Sequence, residues 1–251
     1  MLQRLLFLLI LLTTAAFAAE PHVVIMIGED EYHTWETLPD FAAKDLKASG
    51  WRTTIISASE TDRNDFPGLV AALRDADLLF VSVRRRTPPK EQLDAVRQFL
   101  DAGKPLVGIR TACHAFALRP NDRLADPKLA AWQEFDPEVF GGHYANHHGN
   151  GPKTAITLAP GAEVHPILQG VSIAALIGNG SLYKVSPLEK DTSPLLIGTI
   201  PDQPAEPVAW THVYGIHHAR VFFTSLGHPN DFQNPAFRRL LANSLAWALG
   251  K

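Results

Sequence analysis

The feature that most constrains the fold is an alternation of short apolar runs with helical patterns in the first half of the chain. Runs rich in β-branched residues predict four strands, at residues 22–28, 53–56, 77–83 and 105–109. Apolar residues at helical spacing predict helices at residues 38–50, 66–74 and 87–103, and a short one from Ala112 onward. Because strands separated by helices are joined by right-handed crossovers, this order predicts a parallel sheet covered on both faces.

The second half of the chain has no long helices between its apolar runs. Strands are predicted at residues 154–158, 194–200, 207–214 and 221–226, the last two as a hairpin. A final helix is predicted after the Asn234-Pro235 cap. Residues 117–152 are loop-rich and are expected to form an insertion over the site. We therefore predict one α/β domain over residues 21–250, with a mainly parallel sheet and an antiparallel extension in its second half.

The first 18 residues have the three parts of a secretory signal peptide. Arg4 gives a positive start, residues 5–12 are apolar, and Ala16-Phe17-Ala18 fits the small-x-small rule for cleavage. The apolar run is too short for a membrane span, although an uncleaved anchor is the alternative. We expect a secreted or periplasmic protein that has no membrane span after cleavage.

Composition narrows the partners and the chemistry. The formal net charge is −3, and Arg84-Arg85-Arg86 is the only basic run, so no nucleic-acid partner is expected. Cys113 is the only cysteine, which excludes an intrachain disulfide. With 46% hydrophobic residues in 251, the chain can instead be stabilised by a buried core.

Polar side chains of catalytic type follow four of the predicted strands. In an open parallel sheet, ligands bind beyond the carboxyl ends of the strands, and these ends lie at one edge. The residues delivered there are Glu29, Asp30, Glu31, Tyr32 and His33 from the first strand, Arg84 to Arg86 from the third, Arg110, Cys113 and His114 from the fourth, and His228 from the last. Their convergence predicts a functional site at this edge.

Several segments together resemble a known family. They are LVGIRTACHAF (106–116), EFDPEVFGGHY (134–144), VHPILQGV (164–171) and VFFTSLGHPNDF (221–232). The chain resembles the ThuA-like (trehalose-utilisation) proteins, within the class I glutamine amidotransferase-like superfamily. The resemblance implies a flavodoxin-like three-layer sandwich, a role in carbohydrate metabolism, and a small-molecule carbohydrate as the partner.

The chain departs from this pattern at two places. Glutamine amidotransferases place a nucleophilic cysteine directly after the Gly-Ile of the fourth strand, and the ThuA-like proteins typically place a histidine there. This chain has Arg110, whose guanidinium stays protonated and cannot be a nucleophile. The segment GSLY (180–183) stands where the resemblance implies an acidic pair.

Three hypotheses of function follow. The first is an enzyme that abstracts a proton next to the carbonyl of a sugar or oxidised (keto) sugar, leading to isomerisation, elimination or glycosidic cleavage. Arg110 would stabilise the oxyanion, and His114 or His228 would move the proton. The second is a non-catalytic carbohydrate-binding protein, and the third is a thiol-dependent hydrolase or amidase that uses Cys113. The predicted substrate-binding residues are Glu29, Tyr32, His33, Trp35, Arg84, His143 and Tyr144.

The stretch GGHYANHHGNG (141–151) leaves the cofactor open. Its glycines and asparagines make a helix improbable, so the spacing of His143 and His147 does not by itself predict zinc. A divalent metal held by these histidines would need a further ligand from Glu29, Asp30 or His228. The alternatives are a loop that contacts substrate and a polar connector.

Overall fold

In the computed structural model, which describes residues 20–251, strands and helices follow one another along a single chain. The strands are β1 (His22–Gly28), β2 (Arg52–Ser57), β3 (Leu78–Val83), β4 (Leu106–Ile109), β5 (Asn146–His147), β6 (Thr154–Leu158), β7 (Ile177–Gly178), β8 (Tyr183–Lys184), β9 (Ser193–Thr199), β10 (Glu206–Tyr214) and β11 (Ala219–Thr224). The α-helices are α1 (Thr34–Phe41), α2 (Leu69–Arg74), α3 (Lys90–Asp101) and α4 (Pro235–Ala248). Within residues 20–251, no helix is both long and apolar enough to cross a membrane. The predicted signal peptide, residues 1–18, lies outside the described residues.

Nine strands form one mixed sheet in the order β2-β1-β3-β4-β11-β10-β9-β6-β7. The first five run parallel to one another, and the strands from β10 to β7 pair antiparallel. Helices α1 and α4 pack on one face, and α2 and α3 on the other. Every residue of β1 and β3 is buried, as expected for strands covered on both sides. The predicted flavodoxin-like sandwich with an antiparallel extension is confirmed.

The insertion predicted over residues 117–152 is anchored on β4 through a glycine. Its π-helical turn Asp136–Phe140 packs the Phe140 ring against the sheet, where the ring lies 4.8 Å from that of Phe223. A Cβ on Gly108 would lie 2.3 Å from Phe140 Cζ, so this strand position must be glycine. This contact places Asp136 beside the carboxyl end of β4.

Several predicted boundaries differ from the structure, and two of these differences lie beside the predicted site. Helix α1 begins at Thr34 rather than Leu38, because the Glu29 carboxylate accepts the Thr34 backbone N–H and satisfies a first-turn donor. After β4, the helix predicted from Ala112 is a single 3-10 turn over Arg110–His114. That turn starts directly at the strand end and buries all five of its side chains.

Candidate functional site

The backbone adopts unusual conformations at the edge of the sheet where the site lies. Three non-glycine residues that follow β1, β3 and β4 have positive φ: His33 (52°), Arg85 (49°) and Arg110 (51°). Side chains rarely adopt this region, and such residues concentrate at functional sites. Each turns the chain sharply at the carboxyl end of its strand, so that the following residues cross the sheet edge.

Arg110 lies at the centre of this edge, sandwiched between two tyrosine rings. Its guanidinium carbon is 4.6 Å from the Tyr32 ring centroid and 4.4 Å from that of Tyr183. Its Nη1 donates to the carbonyl oxygens of Ser181, at 3.0 Å, and Ser225, and its Nη2 donates to the Tyr32 hydroxyl at 3.2 Å. The side chain is only 2% exposed. Nη1 and Nη2 are thus already hydrogen-bonded, whereas Nε is buried without a partner within residues 20–251. The oxyanion contact predicted for Arg110 stays a prediction.

The GSLY segment makes room for the arginine. A Cβ on Gly180 would lie 2.1 Å from Nη2 of Arg110, so no larger residue fits while the guanidinium is in place. Arg110 and the GSLY segment, which are the two departures from the ThuA-like pattern, are therefore in contact. The guanidinium occupies the space in which a side chain at position 180 would lie. Tyr183, whose role the sequence did not reveal, supplies the second ring of the sandwich.

Glu29 organises the loop after β1. Its carboxylate accepts the backbone N–H groups of Glu31 (2.6 Å), Tyr32 (2.6 Å) and Thr34 (2.7 Å) and the Thr34 hydroxyl (2.7 Å). It is 3% exposed. Both oxygens of Glu29 therefore accept hydrogen bonds from the loop that carries Tyr32, and the substrate contact predicted for Glu29 stays a prediction.

His228 is fixed at the carboxyl end of β11. Its backbone N–H and that of Gly227 donate to Oδ2 of Asp231, and its Nδ1 accepts the Asn230 N–H at 3.2 Å. A neutral imidazole that accepts at Nδ1 carries its proton on Nε2. Burial lowers the pKa of His228, Arg110 lowers it further, and Asp231 opposes both. Its ring lies edge-on to Tyr32, with 6.2 Å between the centroids.

A cleft of ≈ 360 Å³ is lined by Cys113 and His114, from the turn that begins at Arg110, together with other predicted and unpredicted residues. The His114 ring stacks on Tyr144 at 4.5 Å, and the Tyr144 backbone N–H donates to Oδ2 of Asp136 at 2.7 Å. Oδ1 of Asp136 is buried and has no hydrogen-bond partner within residues 20–251. The lining residues include Arg85, Cys113, His114, Asp136, His143 and Tyr144.

Burial favours the uncharged forms of two titratable groups that line this cleft. It raises the pKa of Asp136 to about 7, against which the Tyr144 N–H is the only opposing contact. It lowers the pKa of His114 well below the usual value, with further lowering by Arg85, Arg84 and Arg110. At neutral pH, His114 is therefore uncharged, and Asp136 is present in both its protonated and its ionised form.

A family comparison decides the chain's relationships. The family model described as "ThuA: Trehalose utilisation" matches residues 23–248. The chain belongs to the ThuA family.

Solved structures share the ThuA fold of this chain. A ThuA-like protein from Bacteroides uniformis ATCC 8492 is 17% identical with a TM-score of 0.66, over 93% of this chain and 94% of that chain. A ThuA-like protein from Parabacteroides merdae ATCC 43184 is 14% identical with a TM-score of 0.62, over 93% and 91%. A cold-adapted β-galactosidase from Rahnella sp. R3 is 13% identical with a TM-score of 0.57, and the match covers 90% of this chain but 31% of the enzyme. No protein with a curated description matches significantly.

The histidine stretch of this ThuA-family chain is held in place by strand pairing and by side-chain contacts. β5 pairs with β8, which sets His147 opposite Tyr183. His143 Nε2 lies 3.0 Å from Glu189 Oε1, whereas His147 Nδ1 lies 2.7 Å from the His148 carbonyl oxygen. In the part of the chain that the structure describes, no three His, Cys, Asp or Glu side chains are grouped to hold a metal ion. The structure therefore adds no third ligand to the pair His143 and His147.

The remaining predicted residues border the site. Arg84 Nε is 2.9 Å from Glu31 Oε2, so Arg85, and not Arg84, is the arginine of the run that lines the cleft. His33 and Trp35 stack with their centroids 4.7 Å apart, and Trp35 remains 43% exposed. Trp35 lines a separate crevice of ≈ 220 Å³ beyond β1 and β2.

Cys113 is the residue of the ThuA-like site least suited to attack a substrate. It is 1% exposed and packs in an apolar cluster. Burial raises the pKa of its thiol well above the usual value, and Asp136 adds to the effect. Because the thiolate is the nucleophile, this environment disfavours the thiol-hydrolase hypothesis.

The burial of Cys113 predicts slow alkylation. In the folded protein we expect iodoacetamide to modify the thiol at least about 1000-fold more slowly than in urea, because reaction requires the surrounding core to open. Mass spectrometry of timed samples measures both rates. Equal rates would mean that the thiol is accessible, and would return Cys113 to consideration as a nucleophile.

Proposed function

We propose that this ThuA-family protein is an enzyme that abstracts a proton next to the carbonyl of a sugar or keto-sugar. The observation that carries the proposal is Asp136: a buried carboxyl group in a cleft, with a pKa of about 7 and one oxygen without a partner within residues 20–251. A general base is most effective when its pKa lies near the working pH. The family's description, trehalose utilisation, supports a sugar as the substrate.

The neighbouring side chains have complementary tasks. The protonated thiol of Cys113 has two acceptors within reach, Nδ1 of His114 at 3.2 Å and the Arg110 carbonyl oxygen at 3.5 Å. We assign its single proton to the shorter contact, which puts the imidazole proton of His114 on Nε2. Nε2 makes no hydrogen bond within residues 20–251 and is available to the carbonyl oxygen of a substrate. An uncharged imidazole can stabilise an enolate by such a hydrogen bond.

The reaction then begins with one proton transfer. The Asp136 carboxylate takes the proton from the carbon next to the carbonyl, and the C–H electron pair forms an enediolate whose oxygen accepts from His114. Return of the proton to the former carbonyl carbon, together with transfer of the hydroxyl proton from the neighbouring oxygen to the enediolate oxygen, completes an isomerisation. Expulsion of a group from the next carbon, with that proton delivered to the leaving oxygen, completes an elimination that cleaves the glycoside.

The proposal predicts deuterium exchange that depends on Asp136. In D₂O, we expect the protein to place deuterium next to the carbonyl of a 3-keto-glycoside, and Asp136→Asn or His114→Gln to slow this by about 10²- to 10⁴-fold. NMR and mass spectrometry follow the label. Cys113→Ser, which keeps a donor for His114, should retain the rate, as should the exposed control Asp202→Asn. A keto-sugar or glycoside screen in which Asp136→Asn exchanges as fast as the unchanged protein would overturn the proposal.

A second candidate function is carbohydrate binding without catalysis. The exposed, stacked pair of His33 and Trp35 favours it, because aromatic faces of this kind bind sugar rings. A sugar that binds and is recovered unlabelled after long incubation in D₂O would support this function instead. Export as a secreted or periplasmic protein remains part of our proposal, on the strength of the predicted signal peptide alone.

A further inference from the structure

Arg85 is built into the wall of the cleft. It follows β3 with φ of 49°, and its backbone N–H donates to the His114 carbonyl oxygen at 3.0 Å. The next residue, Arg86, donates its N–H to the Ala115 carbonyl oxygen at 2.7 Å. These bonds fasten the Arg85 backbone alongside the turn that carries His114, and the Arg85 side chain lines the same cleft.

The three consecutive arginines differ in how their charges are compensated. Arg84 pairs with Glu31 at 2.9 Å, and Arg86 pairs with Asp30 at 2.6 Å. Arg85 donates to the Ala117 carbonyl oxygen at 3.2 Å and has no carboxylate within 4.0 Å among residues 20–251. Its two neighbours are thus neutralised by the loop after β1, while its own charge is left to the cleft.

A partly buried guanidinium without an anion is unfavourable. Burial lowers the pKa of Arg85, and the nearby guanidinium of Arg119 lowers it further, so the two cations repel each other. An anion in the cleft would relieve both effects, and arginine binds carboxylates and phosphates through two parallel hydrogen bonds. Two acidic side chains, Glu134 and Asp136, line the cleft, and within residues 20–251 neither forms an ion pair with an arginine. Asp136 instead accepts the Tyr144 N–H.

We propose that the substrate carries an anionic group, a carboxylate or a phosphate, and that Arg85 binds this group inside the cleft. The ligand class is therefore a sugar acid or a sugar phosphate. The inference rests on the proposed function for the chemistry that follows binding, in which Asp136 and His114 act on the carbonyl while Arg85 holds the far end of the molecule. The recognition itself is a property of the cleft and can be measured without turnover.

Calorimetric titration with matched sugars tests the inference. The probes are D-glucuronate, D-gluconate, D-glucose 6-phosphate and neutral D-glucose. We expect at least one anion to bind at least about tenfold more tightly than glucose. Arg85→Asn should weaken the binding of that anion by about 10- to 100-fold and leave the binding of glucose unchanged. Asparagine suits the positive φ at this position, and Arg85→Lys should give an intermediate loss. The exposed control Arg123→Gln should change nothing.

The outcomes separate this inference from the proposed function. Tighter binding of the sugar acids identifies a carboxylate, and tighter binding of the phosphate identifies a phosphate. No preference for any anion over glucose, no binding of any anion, or equal weakening of anion and glucose in a folded Arg85→Asn would overturn the inference. If deuterium exchange requires Asp136 but is equally fast for charged and neutral sugars, the proposed function is supported and the inference about Arg85 is not. If anion binding requires Arg85 but no keto-sugar exchanges deuterium, the inference about Arg85 is supported and the proposed function is not.

Discussion

Replacing Arg110 with methionine is expected to lower the free energy of unfolding by about 3 kcal/mol, with a fall in melting temperature of about 6–12 °C. The substitution keeps an apolar stem but strands the carbonyl oxygens of Ser181 and Ser225, each of which costs about 1–3 kcal/mol when buried without a donor. It also removes the cation between the rings of Tyr32 and Tyr183. Chemical denaturation followed by circular dichroism measures the change.

Arg110→Lys and Gly180→Ala provide the controls for this result. Lysine keeps the charge without the planar fork, so its loss should be smaller than that of methionine. Alanine at position 180 brings a Cβ within 2.1 Å of Nη2 and should displace the guanidinium while leaving Arg110 in the sequence. Buried ionic groups are sometimes replaced by apolar ones without loss of stability. If Arg110→Met were as stable as the unchanged protein, the arginine would not hold this edge together, and a direct role with substrate would regain support.

Asp136→Asn is expected to remove a large pH dependence from the stability. The folded state raises the pKa of this carboxyl group from about 3.8 to about 7, so its protonated form favours folding. That contribution is fully present below about pH 4 and is lost as the pH rises through about 7, which amounts to about 4 kcal/mol. The difference in unfolding free energy between the variant and the unchanged protein should therefore grow in favour of the variant from pH 4 to pH 8.

When the two proteins are compared at each pH, the contributions of the other titrating groups to the unfolding free energy cancel. Asp202→Asn, an exposed substitution, should show a difference that does not vary with pH. A constant difference for Asp136→Asn as well would mean that the carboxyl group is solvated and titrates normally. The base assigned in the proposed mechanism would then need to be another residue.

The sequence predicted the architecture because the information is local. Period and β-branching mark each strand, and the rule that ligands meet the carboxyl ends of parallel strands brought Tyr32, Arg110, His114 and His228 to one edge before any contact was known. The structure places all four in that region, each within 6.5 Å of another site ring or guanidinium.

Roles within the site depend on contacts that no local pattern encodes. Asp136 lies in a loop-rich insertion. It is buried at the sheet edge because the Phe140 ring of the same insertion packs on Gly108 of β4. Tyr183 comes from a strand of two residues, too short for periodicity to detect. Likewise, the sequence shows that Glu29 and Arg110 are polar. It does not show that backbone N–H groups already bond both oxygens of Glu29, or that two backbone carbonyl oxygens accept from Nη1 of Arg110.

The place of β11 in the sheet also governs when the site can form during synthesis. β11 pairs with β4, and the Ser225 carbonyl oxygen that holds Arg110 is separated from it by 115 residues of chain. Closing so long a loop is slow compared with local folding, and a growing chain that ends before β11 leaves β4 as an unpaired edge. The guanidinium is anchored only after nearly the whole polypeptide has emerged. The centre therefore cannot form before β11 has paired with β4, and a chain truncated before β11 carries Arg110 without the Ser225 carbonyl oxygen that holds it.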